Sequence, residues 1–307
     1  MADYHRPATV DEALSLLGQS GEVVLPLAGG TDLLPRWSKG VIPRPEAIVS
    51  LTALADLRGI SQTNGEIRIG ACTPICEIAA DPQVRATAPV LAKAAGRIAC
   101  PQVRSRATIG GNLCNASPAA DTAVPLILLD AVCDVVAAAP RGPVVRQIPI
   151  TEFFTGPGVT ALKPGELLTH VHFEAGVNAG GPRTTKSAAR GWTFSAWDKF
   201  GTRPSMEIAV ASVGVALKIE NGTVTDARVG YGSVAPTPVR GRGAEAELIG
   251  NPLSAEVIAK CVTAAAAEIA PISDVRAGAD YRREVVGVML RRMLENAASV
   301  SSRVCHG

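Results

Sequence analysis

The stretch Leu27-Ala28-Gly29-Gly30-Thr31-Asp32-Leu33-Leu34 joins two patterns that predict different secondary structure. It follows the apolar run Val23-Val24-Leu25, which is typical of a strand, and Thr31-Asp32 is typical of the start of a helix. Two adjacent glycines at such a junction can form a simple tight turn. They can also let backbone amides approach a negatively charged group, because a helix N-terminus attracts phosphate. The stretch is not a G-x-G-x-x-G motif, so it does not indicate a Rossmann domain.

A second glycine pair, Gly110-Gly111, lies in RSRATIGGNLCNASPAAD, residues 104–121. The end of this stretch, from Ser117 to Asp121, has the composition of a helix start, with a cap, a proline and an acid in the first turn. The two glycine turns could clamp one diphosphate between them. Ser117 and Asp121 would then be free for hydroxyls or amides of the same ligand, and simple capping of the helix is an equal alternative for both.

The composition excludes some classes of protein. The 307 residues include 30 basic and 28 acidic side chains, a net charge of +2 that argues against nucleic acid as the main partner. Apolar residues make up 47%, which allows a sizeable core. The opening MADYHRPATVDE has no apolar signal core, and Asp130 and Asp134 interrupt the longest apolar run at 123–139. We therefore expect a cytoplasmic protein without a membrane span.

The seven cysteines form no C-x-x-C pair, and their odd number is typical of reduced thiols. Cys72 and Cys76 have a C-x-x-x-C spacing that could hold a metal. No further ligands are apparent near them in the sequence, so we expect ordinary thiols and no metal site in this chain.

Local signals predict a small β-α-β unit in the first fifty-odd residues, beginning with a capping box at Thr9 and Glu12. Thr73-Pro74 is typical of a cap followed by proline at the first helical position. Residues 123–139 are interpreted as a buried helix followed by a strand. The Asn-Gly pairs at 64–65 and 221–222 predict two hairpins. Helical patterns cover about 87–99, 254–270 and 278–298.

The chain divides where its pattern changes. Residues 175–191 break the apolar pattern and favour a linker or loop, and long period-two strands follow them. The predicted divisions are a first domain at 1–175 with lobes of about 1–55 and 56–175, a linker or loop at 176–191, and an antiparallel sheet with helices at 192–307.

Several motifs in one order carry a resemblance that covers nearly the whole chain. They are LAGGTDLL, RSRATIGGNLCNASPAAD, FFTGPGVTALKPGELL, K-x-x-x-R-x-x-x-E-I-A at Lys199 to Ala209, and GYGSVAPTPVRG. Together they resemble the FAD-binding subunit of the molybdenum hydroxylases, a family that includes xanthine dehydrogenase and carbon monoxide dehydrogenase. YHRPAT, ACPQVRSRAT and FFTGPG are most similar to the xanthine dehydrogenase type.

This resemblance implies an α+β fold. An FAD-binding domain of two lobes, like that of vanillyl-alcohol-oxidase-like flavoproteins, would precede a small antiparallel sheet with C-terminal helices. FAD would lie between the lobes. A molybdenum cofactor and 2Fe-2S clusters would belong to two partner subunits, and the family suggests a dimer of heterotrimers. Electrons would pass from the clusters through FAD to an external acceptor, which could be NAD, quinone or oxygen.

The resemblance also implies a set of cofactor-binding residues. Ala28 to Asp32 and Thr108 to Asn112 would hold the FAD pyrophosphate through backbone amides. Asp121 and Ser117 would contact the sugar or ribityl region, and the backbone at Leu168 would lie near the adenine or the flavin. The full set is Leu27, Ala28, Gly29, Gly30, Thr31, Asp32, Leu33, Ile98, Thr108, Ile109, Gly110, Gly111, Asn112, Ser117, Asp121, Leu168 and Lys199.

Lys199 would lie close to the isoalloxazine, where a cation would favour negative charge on the reduced ring and tune its potential. An exposed lysine at a strand edge is the alternative. After it, Pro204 stands where relatives often have a second arginine, which leaves the acceptor open. The chain has no cysteine insert for an additional cluster and no motif for a catalytic nucleophile, so we expect no catalytic residue here.

Other functions remain open at this stage. A carbon monoxide, nicotinate or aldehyde dehydrogenase could use the same flavin subunit, because the substrate belongs to the molybdenum subunit. A non-redox nucleotide-binding or scaffold protein could keep the fold. An independent FAD oxidase would need its own substrate base and often a flavin-linking His or Cys, and His5, His170 and His172 match no such site.

Overall fold

The computed structural model describes residues 2–18, 23–175, 192–203 and 206–305. The predicted linker at 176–191 and Pro204 lie outside the described residues. The strands are β1 Asp3–His5, β2 Val24–Leu27, β3 Ala47–Ser50, β4 Ile60–Thr63, β5 Glu66–Gly70, β6 Val132–Ala137, β7 Val144–Pro149, β8 Phe154–Gly156, β9 Val159–Thr160, β10 Glu166–Glu174, β11 Phe194–Phe200, β12 Ala211–Glu220, β13 Thr223–Gly232 and β14 Val239–Arg240. The helices are α1 Val10–Leu17, α2 Leu33–Ser38, α3 Ile75–Ala80, α4 Pro82–Thr87, α5 Pro89–Gly96, α6 Pro101–Arg104, α7 Ile109–Cys114, α8 Ala123–Leu128, α9 Ile150–Phe153, α10 Arg242–Leu248, α11 Ala255–Glu268 and α12 Ala279–Cys305.

The N-terminal residues form a three-stranded parallel sheet in the order β1-β3-β2. Helix α1 begins as its sequence predicts, because Thr9 accepts from the Glu12 amide and the Glu12 carboxylate accepts from Ala8 N at 2.8 Å. Helix α2 connects the parallel strands β2 and β3, so the predicted β-α-β unit is confirmed. Ala13 and Leu14 of α1 pack with Leu167 of β10, which joins this unit to the next sheet.

The second sheet has five antiparallel strands in the order β4-β5-β10-β6-β7. Asn64 and Gly65, at φ of 52° and 80°, form the predicted hairpin turn between β4 and β5. Helices α3, α5, α7 and α8 cover its inner face around a core that is largely aliphatic. A register shift between Leu168 and His170 interrupts β10 beside this core.

The third sheet is antiparallel, in the order β11-β12-β13-β14, and carries α10, α11 and α12. The predicted long hairpin turns at Asn221, as expected. Its other face packs against α8, and a Cβ at Gly214 would lie only 2.8 Å from Leu128 Cδ1 and 2.9 Å from Val124 Cγ1. The absence of a side chain at Gly214 lets the sheet approach α8, which brings β11 to the residues that precede this helix.

Two predicted helix starts differ from the structure. Thr73 does not cap α3, because its hydroxyl is bonded to both the amide and the carbonyl of Gly59, and Pro74 is the cap residue. The helix predicted at about 87–99 is the shorter α5, since it begins at Pro89 and Arg97 caps its end. In the described parts of the chain, no helix is long and apolar enough to cross a membrane.

Candidate functional site: a cleft beside two glycine turns

The first glycine turn presents a row of unpaired backbone amides. Within the described residues, no hydrogen bond is formed by the amides of 29–33, which follow the last residue of β2. Gly30 has a φ of +72°, which favours glycine. A Cβ at Gly29 would overlap the carbonyl oxygen of Arg106. The two glycines therefore allow a turn whose amides can donate to an anion.

The carboxylate of Asp32 does not occupy these amides. Asp32 makes no capping bond to α2 and instead lies 3.4 Å from Nη1 of Arg36, one turn along the helix. Both side chains are about half exposed. Asp32 therefore points along its own helix, and Arg36 partly neutralises the repulsion that Asp32 would exert on an anion at the amides of 29–33.

The second glycine turn is built differently. Thr108 caps α7 by accepting from the Gly111 amide at 3.1 Å, and the Gly110 amide donates to the Ala71 carbonyl at 2.8 Å. Ile109 and Asn112 also donate their amides within the protein. A Cβ at Gly110 would lie 2.6 Å from Ala71 Cβ. Both turns were expected to offer backbone amides, but the second already uses them to pack α7 against the loop at 71–75.

The two turns are adjacent in space, and the surface between them is called the cleft below. Gly29 packs against the backbone at 106–107, and Nη1 of Arg36 lies 3.4 Å from Oδ1 of Asn115 at the end of α7.

The segment from Ser117 to Asp121 forms a turn and not the predicted helix start. The Ser117 hydroxyl accepts from the Ala119 amide at 3.2 Å, and the Ala120 amide donates to the Ser117 carbonyl at 3.0 Å. Helix α8 begins only at Ala123. Asp121 caps nothing, so the capping alternative is wrong for this residue, and its carboxylate is available for another role.

That role is an ion pair with Lys199. Nζ of Lys199 lies 2.7 Å from Oδ2 of Asp121, and the side chains are only 2% and 10% exposed. The other oxygen of Asp121, Oδ1, is buried without a partner among the described residues. Burial raises the pKa of Asp121, although the Lys199 ammonium opposes this effect. The exposed strand-edge alternative for Lys199 is therefore wrong.

Ile98 and Leu168 lie on two other segments near these turns. The Ile98 carbonyl accepts from Arg104 Nη1 at 2.7 Å, and Ala99 next to it has a φ of +41°, unusual for alanine. Leu168 is buried at the register shift of β10, and the following residue, Thr169, accepts from the Ala71 amide at 2.8 Å. Ala71 thus connects the segment of Leu168 to the second glycine turn.

Two charged residues near Lys199 were not predicted as site residues. Arg97 forms an ion pair with Asp198 and lies 3.4 Å from the Lys199 carbonyl through Nη2. Glu207 has a side chain only 4% exposed, 3.7 Å from Arg97. Glu207 was part of the motif that begins at Lys199. Nothing in the sequence around Arg97 indicates that this residue contacts the Lys199 segment.

The residues of the cleft fit FAD. A row of free amides suits a pyrophosphate, the unpartnered oxygen of Asp121 suits a hydroxyl or amide donor, and a buried cation suits a ring that gains negative charge. These features, on an α+β chain with a small antiparallel sheet and C-terminal helices, define a flavin-binding class of protein.

Comparison with known proteins gives the family. Residues 1–173 match the FAD binding domain in molybdopterin dehydrogenase, and residues 196–297 match the CO dehydrogenase flavoprotein C-terminal domain. The chain is 33% identical to the xanthine dehydrogenase FAD-binding subunit of Escherichia coli O157:H7, over 98% of this chain and 97% of that protein. It is 34% identical to the carbon monoxide dehydrogenase medium chain of Hydrogenophaga pseudoflava, over 96% of each.

A solved structure supports the same assignment. The carbon monoxide dehydrogenase from Hydrogenophaga pseudoflava, in a form that lacks the Mo-pyranopterin moiety of the molybdenum cofactor, superposes with a TM-score of 0.87. That match has 33% identity and covers 97% of this chain and 98% of that one. The chain therefore belongs to the FAD-binding subunits of the molybdenum hydroxylases, and its cofactor is FAD. The predicted fold class is confirmed.

Proposed function

We propose that this chain carries electrons between subunits of a molybdenum hydroxylase. Its FAD receives electrons from 2Fe-2S clusters on one partner and passes them to an external acceptor. A molybdenum-cofactor subunit oxidises the substrate, and the assembly is a dimer of heterotrimers. The observation that carries this proposal is the row of amides at 29–33 that have no partner among the described residues, beside α7, whose Asn112 accepts from the Thr122 hydroxyl next to the buried pair Lys199–Asp121. Relatives named as FAD-binding subunits and medium chains support it.

The two glycine turns have different parts in this proposal. The amides of Ala28 to Leu33, directly after Leu27, hold the pyrophosphate, since these amides have no competing acceptor among the described residues. Thr108 to Asn112 form the rigid wall on the other side of the cleft. The amides of Ile109 to Asn112 maintain the wall's shape because they are bonded within the protein.

The remaining residues orient the rest of the cofactor. Ser117 and Asp121 contact the ribityl or sugar region, with Oδ1 of Asp121 as an acceptor. Ile98 and Leu168 place backbone next to the ring system or adenine. Lys199 supplies positive charge near the isoalloxazine. Bound FAD supplies the reversible uptake of two electrons, and this chain's residues bind it and set its potential.

We propose xanthine or a related purine as the substrate of the whole complex. YHRPAT, ACPQVRSRAT and FFTGPG support the xanthine dehydrogenase type. Carbon monoxide is a second candidate, because the medium chain of carbon monoxide dehydrogenase is as similar in sequence and matches in structure. The reconstituted complex should reduce its acceptor with xanthine and not with carbon monoxide. The reverse result would favour the second candidate.

We propose the domain limits given by the sequence pattern, with 1–175 binding FAD and 192–307 forming the second domain. The family matches at 1–173 and 196–297 support this division.

Substitution of the glycines tests FAD binding directly. Gly29→Ala and Gly110→Ala should each lose FAD, because the added Cβ meets fixed backbone at Arg106 or at Ala71. Gly278→Ala is the matched control, since a Cβ there meets no atom within 4 Å. The measurement is the flavin absorbance of purified chains incubated with FAD and then desalted. Equal, stoichiometric FAD in all three variants would contradict the proposed site.

A further inference from the structure

The motif that begins at Lys199 ends in a buried acid with few partners. The Glu207 side chain is only 4% exposed, yet its described contacts are the Arg203 amide at 3.3 Å and Arg97 at 3.7 Å. Its carboxylate also packs against Gly201, where a Cβ would overlap it. Its described ion pair, with Arg97 at 3.7 Å, is long, and weak pairing of a buried carboxylate is unfavourable for stability, so its position calls for another explanation.

Arg97 connects this acid to the segment that bears Lys199. Its guanidinium pairs with Asp198, approaches the Lys199 carbonyl at 3.4 Å, and lies 6.0 Å over the buried ring of Trp197. Because Arg97 makes these contacts, it neutralises the Glu207 carboxylate only weakly. Glu207 is thus a weakly paired acid in a poorly solvated place.

The charges of Glu207 and Arg97 reach the ion pair in the cleft. The pKa of Asp121 is raised chiefly by burial and lowered by Lys199, and it is further lowered by Arg97 and raised by Glu207. A second pair of opposite charges, Arg97 and Glu207, therefore acts on the Lys199–Asp121 pair through the Lys199 segment. The field at the cleft depends on all four groups.

We infer that Glu207 is a positioning residue that lowers the reduction potential of bound FAD by its charge, acting through the Arg97–Lys199 segment. The inference rests on the proposed function of the cleft. Reduction adds negative charge to the ring, so a nearby fixed anion opposes it. Arg97 moderates this effect, and Gly201 keeps the carboxylate in place by leaving room for it.

The test measures the FAD reduction potential of the full-length chain by anaerobic titration against a reference dye. Glu207→Gln keeps the size of the side chain and an oxygen that can accept from the Arg203 amide, and it should shift the potential upward. Glu207→Asp keeps the charge and should remain near the native value. Glu256→Gln removes the same charge from exposed α11 and should have no effect.

A second variant separates charge from local folding. Gly201→Ala should displace the carboxylate toward solvent and also raise the potential, and it decides the question if Glu207→Gln cannot hold FAD. An unchanged potential in a variant that binds FAD stoichiometrically would overturn the inference and leave the proposed function intact. Failure of the native chain to take up FAD would overturn both.

Discussion

Lys199 is a charged side chain whose burial costs stability. Removing an ammonium and a carboxylate from water is expensive, and the attraction between them often no more than compensates. The Lys199–Asp121 pair is nevertheless almost completely buried, and one oxygen of Asp121 has no partner among the described residues. Such an arrangement is better explained by a ligand that completes it than by stability of the chain alone.

Replacement of Lys199 by methionine should lower the FAD reduction potential while FAD remains bound. Methionine fills the same space, but it removes the cation that favours negative charge on the reduced ring and leaves Asp121 unbalanced. The potential is measured by dye-coupled titration. Lys260→Met, which removes an exposed lysine on α11, is the control. A potential equal to the native value would contradict the role of Lys199.

At the scale of single residues, the sequence predicted that both glycine turns expose their amides, and it did not predict how the two turns differ. Gly29 and Gly110 stand in similar local patterns, and both were expected to expose amides. The Gly110 amide is occupied by Ala71, a residue 39 positions earlier in the chain. Such a contact depends on how α7 packs on a distant loop, which a local motif does not encode.

Helix α7 forms one wall of the cleft and is intrinsically weak. It has six residues and two adjacent glycines, each of which disfavours helix by about 1 kcal/mol relative to alanine. Its stability therefore depends on its cap and its packing. Thr108 supplies the cap and is itself 5% exposed.

Thr108→Ala should cost about 1 kcal/mol of unfolding free energy, the typical loss when a helix cap is removed. The Gly111 amide would also lose its partner, which should loosen the wall and weaken FAD binding. Thr108→Ser retains the hydroxyl and serves as the control. Urea denaturation and FAD titration provide the measurements, and equal behaviour of the alanine and serine variants would contradict this account of α7.

The start of α12 is fixed by a second charge arrangement. Arg282 is 3% exposed, donates to the carbonyls of Val210 and Ser233, and pairs with Asp274 at 2.7 Å. The Arg276 amide, followed by Arg282 and the Ala277 amide, lowers the pKa of Asp274 to about 2, against some desolvation.

This arrangement predicts a pH dependence. Since the folded pKa of Asp274 is depressed, its contribution is complete above the unfolded pKa of about 3.9 and is lost as the pH falls toward about 2. Asp274→Asn should cost about 3 kcal/mol near neutral pH, because Arg282 loses its carboxylate.

The difference between native and Asp274→Asn chains should shrink below about pH 4. Denaturation in urea from pH 6 to pH 3 measures it. Asp280→Asn, at a fully exposed acid on the same helix, should show no such trend. A difference that stays constant over this range would contradict the role of Asp274.

Hairpins and long helices could be predicted at the scale of elements, whereas two short helix starts could not. Asn-Gly pairs specify their turns locally, so both hairpins were found. Thr73 and Ser117 have the composition of caps, but their hydroxyls bond other backbone groups. Serine and threonine serve turns and caps equally well, and the surrounding fold decides between them.

At the scale of the whole molecule, ion pairs hold the third sheet against the end of α8. Asp130, just after α8, accepts from Nε of Arg228 at 2.9 Å and from Nη1 of Arg240 at 2.6 Å. These partners follow 98 and 110 residues later in the chain. No sequence pattern pairs residues so far apart. Arg228 lies on a strand that was predicted, and Arg240 lies on β14, which was not. The pairs hold β13 and β14 beside the end of α8.

Asp130→Asn tests this connection with little disturbance of the backbone. Asp130 has a φ of +48°, which asparagine adopts at least as readily. The variant should lose about 2 to 3 kcal/mol of unfolding free energy, because two charge-assisted bonds are weakened while Arg240 keeps Glu245 and Arg228 keeps Asp226. FAD affinity should fall as well, since displacement of the sheet moves Lys199 away from Asp121. Asp226→Asn is the control. It removes the partner of Arg228 that is more exposed than Asp130, and it should cost about 1 kcal/mol or less. Urea midpoints and FAD titrations measure both effects, and equal losses in the two variants would show that Asp130 does not connect the sheet to the cleft.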